Sequence, residues 1–137
     1  MTTVQRVAQI MGWAFLLVGV AGFFATGMSM EADTETAPRL LGLFPVNVLH
    51  NIVHLLFGVW GIVASRTFEG SRTYGRVGGV AYLGLALLGF VVPDMFGLVP
   101  IGSHDIWLHA LLGLVLAVVG FTAKPGATRT TATTATA

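Results

Sequence analysis

The chain contains no cysteine, which excludes disulfides, cysteine-ligated zinc and iron–sulfur clusters. Charge is almost as scarce. Only 9% of its 137 residues are Asp, Glu, Lys or Arg, where a soluble domain carries about a quarter. No basic patch interleaved with aromatics is present, so nucleic acid is not an expected partner. No Ser/His/Asp order, phosphate-binding loop, dinucleotide fingerprint or glycosidase-like carboxylate pair occurs, which leaves catalysis with little support. What the chain has instead is apolar bulk: 55% of residues are hydrophobic and the mean hydropathy is +0.83. Too little polar surface remains to face water, so the composition describes one integral membrane domain with the lipid bilayer as its first partner.

Four apolar spans are expected, about 10–27, 47–64, 77–92 and 105–123. The first follows a short polar start and could imitate a signal peptide. It is longer than the usual apolar region of about 7–15 residues, so it reads as a retained helix. A polar connection, Met28 to Leu41, carries Glu31, Asp33, Glu35 and Arg39. Asn47 follows Pro45 and is placed to cap the second span. A basic loop, Ser65 to Arg76, precedes the third, and residues 124–137 form a Thr/Ala-rich tail expected to be disordered. Of the seven basic residues, all but Arg39 fall on one side of a four-span arrangement. The positive-inside rule then places both termini in the cytoplasm of a bacterial inner-membrane protein. The fold class expected is all-α: a four-helix transmembrane bundle.

The chain repeats itself. At an offset of 55 residues, Gly42-Leu43-Phe44-Pro45 meets Gly97-Leu98-Val99-Pro100, His54 meets His109, Gly58 meets Gly113 and His50 meets Asp105. At an offset of 67, Gly12 meets Gly79, Phe15 meets Tyr82, and Gly22-Phe23 meets Gly89-Phe90. Glycine, proline and histidine are not interchangeable filler, so the bundle reads as two hairpins of the same orientation related by an axis along the membrane normal.

All four histidines lie on the second or fourth span. At helical spacing Asn47, His50, His54 and Gly58 share one stripe, and Asp105, His109 and Gly113 share the equivalent one. His104 points away from it. Ionisable groups within a membrane span are costly and mark a site by default. Several readings follow. His50, His54, Asp105 and His109, with Asn47, can form a structural polar cluster that locks the helices together and binds nothing. His54 and His109, on opposing helices with glycine one turn on, can ligate a b-type haem. His50, His54, Asp105 and His109 also have the donor types for a divalent metal. A small amphiphile or quinone in the outer cleft completes the set. The role expected is a non-enzymatic scaffold or accessory subunit, whose protein partners are other membrane subunits or a second copy of the chain. The alternative is a haem- or metal-binding redox component. Glu31, Asp33 and Glu35 read as a solvated loop, and Arg72 and Arg76 as orientation determinants near anionic lipid.

The Pro-Val-Asn-x-x-His-Asn-x-x-His-Leu-x-x-Gly run that begins at Pro45, with Leu108-His109 later, resembles the bacterial membrane proteins of domain-of-unknown-function family DUF4383. The likeness covers about Gln5 to Ala123, with Asn47, His50, Asn51, His54 and Gly58 its most specific part. It implies the four-helix membrane fold and no mechanism. A fainter similarity runs to the DoxX/DoxD kind of small four-helix membrane protein, some linked to quinone-dependent sulfur oxidation. No motif residue is carried across from these.

Overall fold

A computed structural model describes residues 1–125. Four α-helices are present among them: α1 (Thr3–Thr26), α2 (Val48–Ala64), α3 (Phe68–Val91) and α4 (His104–Thr122). Two short strands, β1 (Arg39–Leu40) and β2 (Phe44–Pro45), pair antiparallel in the connection from α1 to α2. α1, α3 and α4 are each long and apolar enough to cross a membrane. α2 is equally apolar but has 17 residues, a length of about 25 Å. All of the tail expected over 124–137, apart from residues 124 and 125, lies outside the described residues.

The helices run further than their apolar cores because polar residues cap them. Thr2 and Gln5 form a reciprocal capping box, so α1 begins well before the apolar run at Ile10. The basic loop expected from Ser65 to Arg76 shrinks to three residues. Thr67 accepts from the Gly70 N–H at 3.0 Å and starts α3 there. Arg72 and Arg76 therefore stand on the helix rather than before it. Arg76 donates through Nε to the Gly120 carbonyl at 3.0 Å and lies over the Phe121 ring. Asn47 caps α2 as its position suggests, accepting from the His50 N–H at 2.9 Å.

Packing is tightest within the two hairpins, α1 on α2 and α3 on α4. Glycines set both interfaces, and in the same register. A Cβ at Gly12 would strike the Ile62 backbone nitrogen, and one at Gly79 would strike that of Ala117. Gly58 lies against Leu16 and Gly113 against Leu83; Gly22 lies against Asn51 and Gly89 against Ile106. In every case the first-hairpin partners map onto the second-hairpin partners at the offsets of 55 and 67 residues. The connections repeat as well. Leu41 and Gly42 have positive φ, as do Phe96 and Gly97, and each turn is closed by an equivalent bond, Leu43 N–H to Leu40 carbonyl and Leu98 N–H to Met95 carbonyl. The duplication read from a handful of matches is thus written in the backbone. Between the hairpins, Phe15, Tyr74, Tyr82, Ala8, Ala64 and Leu116 form the apolar core.

Candidate functional site

Each hairpin contributes one helix to a polar centre, near the end of the bundle that carries the long connections. α2 supplies His50 and His54, one turn apart; α4 supplies Asp105 and His109 at the same spacing. All four are buried, between 3% and 8% exposed. His50 of one expected stripe meets Asp105 and His109 of the other. Gly58 and Gly113 of the same stripes pack within their own hairpins, against Leu16 and Leu83. His104, by contrast, is exposed, with only Ser103 Oγ near its ring at 3.3 Å.

His50 sits at the middle. Its ring centroid is 4.6 Å from that of His54 and 6.0 Å from that of His109. Its Nδ1 stands 3.8 Å from Asp105 Oδ2, too far for a hydrogen bond. The backbone carbonyls of Pro45 and Pro100, themselves repeat equivalents, lie near the same ring. His50, Asp105 and His109 each offer a ligand atom, and these three atoms lie within 4.8 Å of one another. His54 is outside that triad.

The centre is short of partners. His50 Nδ1, His54 Nδ1, His109 Nδ1 and Asp105 Oδ2 are all buried and make no hydrogen bond within the described residues. Buried polar atoms are nearly always satisfied, and each exception calls for a cause such as an ion or a ligand. His50 Nδ1 and Asp105 Oδ2 approach to 3.8 Å without closing a hydrogen bond.

The sequence stripe missed the aromatic backing. The Phe15 ring stacks on His54 at 5.7 Å with planes 12° apart, and Tyr82 meets His109 edge-on at 5.1 Å. Phe15 and Tyr82 are equivalents in the repeat, so each hairpin clamps its own imidazole. The signal was present in their 67-residue offset, which the repeat revealed without connecting it to the histidines. Asn51, fully buried, was also without a role. Its Nδ2 donates to Thr26 Oγ1 at 3.0 Å, tying α2 to the end of α1. Asn47 does more than cap, since its Nδ2 donates to the Leu98 carbonyl at 2.8 Å and so links the two connections.

Two cavities reach the centre from opposite sides of the bundle. One, of about 230 Å³, lies between α1 and α4 under the β1–β2 hairpin, and His54, Tyr82, Asp105 and His109 line its inner end. The other, of about 270 Å³, lies between α2 and α3 under the connection that precedes α4, and ends on His50, His54, Tyr82 and His109. Among protein families, the model described as "Domain of unknown function (DUF4383)" matches residues 5–122. No curated protein and no solved structure matches the chain.

Proposed function

This chain belongs to the DUF4383 family, and from that premise we propose that it is a small multi-pass protein of the bacterial cytoplasmic membrane whose polar centre holds a divalent transition-metal ion. It acts as a non-enzymatic scaffold or accessory subunit. Both termini lie in the cytoplasm, and the centre lies in the outer half of the bilayer. The observation that carries the reading is the triad of His50, Asp105 and His109, three buried ligand-type groups drawn from both hairpins, each with a ligand atom within 4.8 Å of the others. His50 Nδ1, His109 Nδ1 and Asp105 Oδ2 are unpartnered among the described residues.

Two imidazoles and a carboxylate suit zinc, cobalt, manganese or ferrous iron. A cation between Nδ1 of His50 and Oδ2 of Asp105 satisfies two atoms that otherwise face each other unpaired. It also gives the buried carboxylate a counter-charge. The carbonyls of Pro45 and Pro100 near the His50 ring are the kind of outer partner that orients a metal-bound imidazole. Because the ligands come from both hairpins, the ion would fasten one to the other.

Haem b on His54 and His109 is the second reading, favoured by the fact that both rings border the same two cavities. His50 counts against it, since its ring stands within stacking distance of both and would have to leave before a macrocycle could lie between them.

Detergent-purified full-length protein, loaded with Co²⁺ in place of the native ion, tests both. Stoichiometric metal with visible d–d bands, lost in Asp105→Asn and His50→Ala, is the expected result. A metal-free, colourless preparation that takes up neither Co²⁺ nor Zn²⁺ would return the cluster to a structural role. A Soret band abolished by His54→Ala would establish haem instead.

A further inference from the structure

The two cavities are copies of one another. Val18 of the first corresponds to Leu85 of the second at the 67-residue offset; Phe44 corresponds to Val99 and Leu108 to Val53 at the 55-residue offset. His54, Tyr82 and His109 border both. At the polar end one repeat position gives Asp105 to the first cavity and His50 to the second, and Phe15 borders the first but not the second. The duplication has therefore produced two lateral openings, one at each seam between the hairpins, that meet at one polar point.

The chemistry of the lining narrows what can enter. Apart from the central histidines, Asp105 and Tyr82, every lining residue is apolar, and neither cavity is bordered by Lys or Arg. Among the described residues, the one Lys or Arg at that end of the bundle, Arg39, already donates to the carbonyls of Thr34 and Leu43. A phosphate headgroup would have no counter-charge there. Each seam is bordered by at least one helix long and apolar enough to cross a membrane, so in a bilayer the route favours a molecule already dissolved in lipid. Each cavity is smaller than the range of about 300–1,000 Å³ that encloses a drug-sized ligand. It therefore suits one ring with a tail left in the lipid. Phe15, Tyr82 and the imidazoles offer flat faces to such a ring. His54 is left over by the metal triad. It is 8% exposed, has its Nδ1 unpartnered, and borders both cavities.

We infer that the seams form a binding site for the neutral ring of a lipid-soluble quinone, with an imidazole N–H of His54 donating to a ring carbonyl oxygen. This rests on the placement of the bundle in a bilayer but not on the metal, because His54 is not part of the triad. The ring would sit beside the metal centre rather than on it, and the aromatic rings of Phe15 and Tyr82 would hold its plane.

The test uses the full chain in nanodiscs titrated with ubiquinone-1 and, separately, menadione, read by quenching of intrinsic tryptophan fluorescence. Saturable binding is expected on top of linear partition into lipid. His54→Leu should weaken it at least about tenfold, the loss of one buried hydrogen bond, while leaving metal content unchanged by elemental analysis. The double variant Val18→Phe/Val53→Phe fills one cavity from each seam without touching a polar residue, and it too should weaken binding at least about tenfold. Quenching that never saturates, or saturable binding that either variant leaves unaltered, overturns the inference. Acyl chains co-purifying in the seams, with quinone unable to displace them, would do the same. Loss of metal in Asp105→Asn with quinone binding retained would show that the two sites are separable.

Discussion

At the scale of single residues, asparagines do much of the work that holds the centre in place. Asn47 caps α2 through its carbonyl oxygen and reaches across to the Leu98 carbonyl through its amide. Removing it leaves an uncapped helix end and takes the amide partner from the Leu98 carbonyl. Asn47→Ala should therefore cost about 1–3 kcal/mol, measured by unfolding in mixed micelles. Asn51 fills the space beside Gly22, so Gly22→Ala forces the amide aside and breaks its bond to Thr26. Gly22→Ala should destabilise, and adding Asn51→Ala should recover part of the loss because the obstructing group is gone. A double variant no more stable than Gly22→Ala alone would show that the bond, not the collision, dominates. The histidines and Asp105 were legible from sequence because buried ionisable residues are rare on apolar helices and their spacing is helical. Phe15 and Tyr82 were not, since an aromatic on an apolar helix looks like any other packing residue until its neighbour is known.

At the scale of elements, the hairpins are held by backbone approaching backbone, with glycine where a side chain would not fit. Small residues are what allow helices to associate closely in lipid, where apolar burial gives no drive. Gly79 sits against the backbone of Ala117 and Gly12 against that of Ile62. Gly79→Leu should pry α3 from α4, displacing His109 from its partners and reducing bound Co²⁺ in the same preparation. An unchanged metal content would mean that α4 keeps its place without α3. The glycines could be matched in sequence, but their partners could not, because an offset says which positions are alike and not which ones touch. The ends of the helices were the least legible part. Thr2 and Thr67 start α1 and α3 through side-chain caps, a local effect that hydropathy windows pass over.

At the scale of the whole molecule, the distribution of charge predicts its placement. Absence of cysteine makes the test clean, because any introduced thiol is the only one. Glu35→Cys should react with a membrane-impermeant maleimide on intact spheroplasts, and Arg66→Cys should react only after lysis. The opposite pattern would invert the bundle and move the polar centre to the cytoplasmic half.

The pairing of position 50 with position 105 has a consequence for how such a centre could arise. Two separate copies of one hairpin, associating about a twofold axis, carry the same residue at every pair of equivalent positions, acid with acid or imidazole with imidazole. Joining them through the short link at Ser65–Thr67 frees each copy to diverge. A carboxylate can then stand opposite an imidazole, as Asp105 stands opposite His50, so that one pair of equivalent positions carries unlike groups, which no homodimer of identical hairpins could offer.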